Sequence, residues 1–214
     1  MEKIVGFFTN TLIMGILNIT PDSFSGDGML KGGNFMAAVL DRAETMLKDG
    51  ADILDVGGES TRPGAQLVTQ QEELDRVLPV IEALHQRFDV PISIDTYKAE
   101  VAEAALKAGA AWLNDVWGLR ADPRMAAVAA DFKSPIVIMH NRSKPSQADL
   151  QQRLGGRYIG VPYENLLEEV KQELLESVKI AHAAGVNDDQ IILDPGIGFG
   201  KTVAQNLELI KRLV

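Results

Sequence analysis

The chain has 214 residues, of which 46% are hydrophobic and 24% charged, a composition typical of one globular domain with a sizeable core. The net charge of −9 argues against non-specific binding to nucleic acids or acidic membranes, and the absence of cysteine excludes disulfides and thiolate metal sites. No signal peptide and no membrane-spanning apolar run is apparent, so we expect a cytoplasmic protein that forms a single domain over residues 1–214.

The first predicted element is a buried strand at residues 12–17, an apolar run that stops at Asn18. The loop that follows, residues 18–28, is dense in Thr, Pro, Asp, Ser and Gly. Because α/β proteins build their sites at the carboxyl ends of strands, this loop is a candidate functional loop.

Five further apolar runs end in polar residues or glycine, at residues 51–58, 91–96, 112–115, 135–141 and 191–196. Between the runs, apolar residues three and four apart predict helices at residues 35–47, 74–88, 101–106, 125–132, 166–180 and 203–214. Strands that alternate with helices indicate βαβ units and a parallel sheet.

Two parallel folds fit this alternation: an open doubly wound sheet and a closed TIM (β/α)8 barrel. A doubly wound sheet concentrates its site at one switch point, whereas a barrel gathers all its strand ends around one mouth. Every predicted strand here ends in a polar residue, and these are Asn18, Asp55, Asp95, Asn114, His140 and Asp194. The pattern therefore favours an α/β TIM barrel with about six of its eight units present in this chain.

The strand-end residues Asp95, Asn114 and Asp194 offer acceptors and an amide that suit a flat heterocycle. A guanidine-like edge, as in a pterin or a purine, can pair with a carboxylate through two parallel hydrogen bonds. The same carboxylates could instead bind a metal ion or act as acid and base.

Two glycine-rich loops carry further candidate ligand-binding residues. Residues 57–64 carry two hydroxyls and Arg62, whose planar fork suits phosphate or carboxylate. Residues 194–202 nearly match a phosphate-binding P-loop, but Pro195 stands where that motif needs glycine, so nucleoside triphosphate hydrolysis is not indicated. Phe199 is better explained as an apolar wall beside a planar ligand.

Taken together, these motifs resemble dihydropteroate synthase. The matching segments are NITPDSFSGDG at 18–28, DVGGESTRPG at 55–64, SIDT at 93–96, ND at 114–115 and DPGIGFGK at 194–201. The resemblance implies condensation of 6-hydroxymethyl-7,8-dihydropterin pyrophosphate with para-aminobenzoate, giving 7,8-dihydropteroate and pyrophosphate in folate biosynthesis. It also implies a Mg²⁺ requirement, a homodimer and inhibition by sulfonamides.

The resemblance assigns roles to residues of this chain. It implies that Asp95, Asn114 and Asp194 hold the pterin and that Asn18 ligates Mg²⁺. It places Asp22, Ser23 and Phe24 in a first loop, and Thr61, Arg62 and Pro63 in a second, which close over pyrophosphate and form the para-aminobenzoate site with Phe199. The residues expected to be catalytic are Asp95, Asn114, Asp194 and Arg62.

The chain also departs from the family pattern. A late Lys in a Ser-Arg-Lys-type motif and an Arg-x-His motif on the last strand are not found in these 214 residues. We therefore expect a chain that lacks the C-terminal quarter of the enzyme. The alternatives are a non-catalytic pterin-binding protein, an inactive fragment, and a pterin-dependent methyltransferase with a corrinoid partner. The Thr-Pro-Asp-Ser-Phe loop argues against the methyltransferase.

Overall fold

The computed structural model describes residues 11–20, 33–60, 68–142 and 162–213, in which six strands alternate with six α-helices. The strands are β1 (Met14–Asn18), β2 (Ile53–Gly57), β3 (Ile92–Asp95), β4 (Trp112–Asp115), β5 (Ile136–Met139) and β6 (Ile191–Asp194). The helices are α1 (Gly33–Lys48), α2 (Gln70–Arg87), α3 (Ala99–Ala108), α4 (Met125–Phe132), α5 (Leu166–Ala183) and α6 (Val203–Lys211). None of the described helices is long and apolar enough to pass through a bilayer.

The six strands form one parallel sheet in the order β1-β2-β3-β4-β5-β6. A doubly wound sheet reverses its strand order at the switch point, and no such reversal occurs here. Strictly sequential order is instead that of a barrel wall. The predicted parallel α/β architecture, with six units of a barrel, is confirmed.

The two faces of the sheet differ in polarity. Side chains alternate along a strand, so Leu54 and Val56 of β2 point to one face and Asp55 to the other. Leu54 and Val56 belong to one apolar cluster with Val77 and Ile81 of α2. The helices thus cover the apolar face, and the opposite face carries the polar residues of the candidate site.

Strands β1 and β6 each pair on one side only within the described part of the chain. Ile16 on β1 is 59% exposed and Leu193 on β6 is 48% exposed. Residues 14–17 of β1 and 191–193 of β6 carry no charge, and unpaired strand edges with such apolar side chains are templates for association.

We therefore expect the 214-residue chain to self-associate through these edges. Light scattering should give a mass well above the 23.3 kDa of one chain. Leu193→Lys places a charge on one edge and should lower that mass. A monodisperse monomer at all concentrations, or a mass that Leu193→Lys leaves unchanged, would contradict edge-driven association.

Candidate functional site

Three of the strand-end residues predicted for the site lie in one row across the sheet. The register pairs Asn18 of β1 with Gly57 of β2, and Gly57 with Asp95 of β3. Asp95 pairs in turn with Asn114 of β4. Because paired residues of parallel strands point to the same face, the sheet brings Asn18, Asp95 and Asn114 together, as predicted.

Gly57 leaves open the space between the two side chains that flank it. A Cβ at this position would lie 3.4 Å from Oδ2 of Asp95 and 3.7 Å from Oδ1 of Asn18. Both oxygens therefore face the position above Gly57, where a larger side chain would take up room. A ligand can approach the backbone of β2 closely at this point.

Asp95 is the ionisable residue of the row, and its surroundings disfavour the charged form of its carboxyl group. Burial raises its pKa well above the usual value, and the negative charges of Asp55, Glu73, Asp115 and Glu59 raise it further. No hydrogen bond from another described residue reaches its carboxyl group. A ligand with N–H donors would supply the missing partners, which is the chemistry expected for a pterin edge.

Asp55 is a strand-end residue that lies outside the predicted binding set, yet it orients a member of that set. It is buried one step below the row, on the same face of the sheet. Asn114 donates through Nδ2 to Oδ2 of Asp55 at 3.1 Å, which leaves the amide carbonyl of Asn114 to face a ligand donor. Burial raises the pKa of Asp55, and the hydrogen bond from Asn114 partly offsets that rise.

Asp194 ends β6 on the other side of the site. It pairs with Met139 of β5, two residues beyond Val137, which is the partner of Asn114. The period of two places Asp194 on the same face as Asn114, one step further towards the carboxyl ends. The amide of Gly196 donates to Oδ1 of Asp194 at 2.7 Å and so fixes the carboxylate.

Asp115, the neighbour of Asn114, has a structural role. Its two carboxylate oxygens accept the backbone N–H groups of Trp117 at 2.8 Å and Leu119 at 2.7 Å. Burial raises its pKa to about 6, although these two hydrogen bonds act in the opposite direction. Asp115 therefore shapes the turn after β4, and both oxygens are engaged in that turn.

A largely buried charge cluster is formed by Lys98, Glu59, Glu73 and Tyr97, and we call it the Lys98 cluster. Nζ of Lys98 lies 2.5 Å from Oε2 of Glu59 and 2.5 Å from Oε2 of Glu73. It also donates to the carbonyl of Val68 at 2.9 Å. Residues 59 and 68 bracket the segment that contains Arg62. The cluster depends on contacts between residues 25 to 39 positions apart, so no local motif marks it.

Several predicted site residues lie outside the described residues. In the first loop these are Asp22, Ser23 and Phe24, and in the second Thr61, Arg62 and Pro63. Phe199 is described and lies half-buried in the turn after β6.

Asn18 is the residue expected to ligate Mg²⁺. Its amide oxygen is a hard donor of the kind Mg²⁺ takes, and no other described residue forms a hydrogen bond with its side chain. The described segments contain no group of three His, Cys, Asp or Glu side chains that could hold a metal ion. Mg²⁺ commonly binds through one or two protein ligands together with substrate phosphates, so Asn18 fits such an ion only beside a phosphate-bearing ligand.

Comparison with known proteins agrees with this geometry. Residues 14–214 match the family of pterin binding enzymes. The dihydropteroate synthase of Clostridium beijerinckii is 49% identical over 203 residues, which cover 95% of this chain and 68% of that protein. The chain spans about two thirds of the length of the curated relatives it matches.

Solved structures give the same result. A dihydropteroate synthase from Clostridium difficile, determined in the presence of pteroic acid, is 47% identical and superimposes with a TM-score of 0.83 over 96% of this chain and 71% of that one. The Xanthomonas albilineans dihydropteroate synthase with 4-aminobenzoic acid is 40% identical, with a TM-score of 0.83 over 96% of this chain and 68% of that one.

Proposed function

The chain belongs to the dihydropteroate synthase family of pterin-binding enzymes, and on this premise we propose that it is a transferase which makes 7,8-dihydropteroate. The substrates are 6-hydroxymethyl-7,8-dihydropterin pyrophosphate and para-aminobenzoate. The proposal rests on the row of Asn18, Asp95 and Asn114, in which the partly buried carboxyl group of Asp95 accepts no hydrogen bond from another residue that the structure describes. The pteroic acid and 4-aminobenzoic acid named for two relatives support the same choice of substrates.

The pterin is held by Asp95, Asn114 and Asp194. Its guanidine-like edge offers adjacent N–H donors to a carboxylate, and the amide of Asn114 pairs with a ring atom. Binding such an edge satisfies Asp95 and lowers the cost of its burial among other acids. These carboxylates also stabilise positive charge that spreads from the reacting methylene into the ring.

The reaction replaces one bond by another at that methylene. The bond from carbon to the pyrophosphate oxygen breaks, and its electron pair leaves with pyrophosphate. The aniline nitrogen forms the new bond to carbon and then loses a proton. Phe24, Thr61, Pro63 and Phe199 are proposed to hold para-aminobenzoate, and Arg62 is proposed to contact the leaving group through charge-assisted hydrogen bonds. Asn18 would hold Mg²⁺, which when bound neutralises charge on the departing pyrophosphate.

The direct test of turnover is to incubate the chain with both substrates and Mg²⁺ and to measure dihydropteroate and pyrophosphate together. The proposal predicts that the two products appear in equal amounts. Pterin binding without either product would favour the non-catalytic pterin-binding alternative. Failure to bind a pterin at all would contradict both.

Arg62→Ala should weaken binding of the pterin pyrophosphate by about 10–100-fold, the worth of a lost hydrogen bond to a charged group. Binding of 6-hydroxymethylpterin, which has no pyrophosphate, should stay unchanged. Arg124→Ala removes an exposed arginine that pairs with Glu100 and serves as the control. Equal losses for the two ligands would contradict the anion role of Arg62.

Three further expectations remain part of the proposal. We propose that residues 1–214 all belong to one pterin-binding barrel domain, of which they are a part, that the protein acts as a homodimer, and that it works in the cytoplasm. Because sulfonamides mimic para-aminobenzoate, they should compete with that substrate.

A further inference from the structure

Lys201 lies at the end of the turn that follows β6 and is only 4% exposed. Its Nζ lies 3.0 Å from Nδ1 of His140, 2.9 Å from the carbonyl oxygen of Gly196 and 3.1 Å from the carbonyl oxygen of Phe199. A lysine ammonium has three donors, and each of them has a partner here. Lys201 thus links two carbonyl groups of its own turn to His140, the residue that follows β5.

This arrangement is unusual for a buried cation. Within the described part of the chain, Lys201 forms no salt bridge to a carboxylate, so neutral acceptors alone solvate it. Burial lowers the pKa of Lys201 to about 8, although the charges of Asp194 and Glu173 oppose that change. Burying a charge without an ion partner is costly, and a surface lysine would avoid the cost.

The turn that Lys201 closes carries two residues of the proposed site. Gly196 donates its backbone N–H to Asp194, and its carbonyl oxygen accepts a hydrogen bond from Lys201. The carbonyl of Phe199 is a second acceptor of the same ammonium. Gly196, Gly198 and Gly200 all have positive φ angles, of 69°, 86° and 62°. Because glycine is conformationally permissive, such a turn needs cross-links to keep one shape.

His140 connects the turn to the outer helices. It is buried, and it accepts from Lys201 at Nδ1, so Nε2 carries the proton and donates to Glu173 of α5 at 3.1 Å. Burial and the charge of Lys201 lower the pKa of His140 to about 4, which keeps the ring neutral at pH 7. Glu173 in turn pairs with Arg142 at 2.5 Å. Lys201 therefore links the turn, through His140, to Glu173 of α5.

We propose that Lys201 is a positioning residue, which holds Asp194 and Phe199 in the geometry that binds the pterin and para-aminobenzoate. It acts through Gly196 and Phe199 and does not itself need to touch a substrate. This inference rests on the proposed function.

The test is a double-mutant cycle on pterin affinity in the full chain, measured by calorimetry with 6-hydroxymethylpterin. Lys201→Met keeps the length of the side chain, removes all three donors and should weaken binding at least about tenfold. In an Asp194→Asn background the same change should have less than about a twofold effect, because residues that act as one unit are not additive. Lys179→Met, an exposed lysine on α5, is the control and should bind like the unmodified chain.

Lys201→Gln retains a polar end and provides a second variant with a smaller expected loss. Unchanged affinity in Lys201→Met, or an equal loss with and without Asp194, would overturn the positioning role. Unfolding of both Lys201 variants would assign the residue to stability alone and would also overturn it. If the unmodified chain fails to bind the pterin, it is the proposed function that is contradicted.

Discussion

Lys98→Met should lower the free energy of unfolding by about 3–5 kcal/mol, the cost of removing one partner from a buried ion pair. The side chain of Lys98 is 17% exposed, and those of Glu59 and Glu73 are 8% and 1% exposed. Burial lowers the pKa of Lys98, but its hydrogen bonds to the two glutamates outweigh that effect and raise it. Without the ammonium, two carboxylates remain buried next to each other. Urea unfolding measures the loss.

Lys107→Met is the matched control, because Lys107 pairs with Glu103 at 2.6 Å on an exposed helix surface. Its effect should be within about 0.5 kcal/mol. Losses of similar, small size in the two lysine variants would show that the Lys98 cluster does not stabilise the fold.

Gly196→Ala carries two costs, a backbone cost to stability and a steric clash that displaces the turn holding Asp194, and the clash should weaken pterin binding by more than about 100-fold. The residue has a φ of 69°, a conformation that costs an L-residue about 1–2 kcal/mol. An added Cβ would also overlap the carbonyl oxygen of His140 and lie 3.2 Å from Nζ of Lys201. The turn must then shift, and the N–H that orients Asp194 shifts with it.

Gly198→Ala separates the two costs. Its φ of 86° carries the same backbone penalty, but a Cβ there would have no neighbour within 4 Å. It should therefore lower stability by about 1–2 kcal/mol and leave pterin affinity close to that of the unmodified chain. If both alanine variants bind equally well, the close approach of Gly196 to the backbone of His140 does not matter for the site.

Apolar periodicity predicted the elements of this fold well but did not always predict where they begin. The predicted bounds of β4 and α4 agree with the structure. Helix α2 begins at Gln70, four residues before the apolar periodicity does, because Thr69 and Glu72 form a capping box around a polar first turn. Such a cap extends a helix beyond its apolar stripe.

The site consists of residues that the strand ends predict and of long-range contacts that no local pattern predicts. Asn18, Asp95 and Asn114 could be placed together because parallel strands bring their carboxyl ends to one edge. The Asn114–Asp55 bond joins residues 59 positions apart, and the Lys201–His140 bond joins residues 61 apart. No spacing rule connects such pairs, so these hydrogen bonds could be identified only in the folded structure.

Pterin binding to the unmodified chain and to Asp95→Asn, measured by calorimetry with 6-hydroxymethylpterin, tests the proposed pterin site most directly. The unmodified chain should bind, and Asp95→Asn should bind about 10–100-fold more weakly, a loss of about 1.5–3 kcal/mol. Because the raised pKa of Asp95 means that its charge destabilises the free protein at neutral pH, the asparagine variant should be at least as stable, which separates lost binding from unfolding. Unchanged affinity in Asp95→Asn, or no binding by the unmodified chain, would contradict the proposed pterin site.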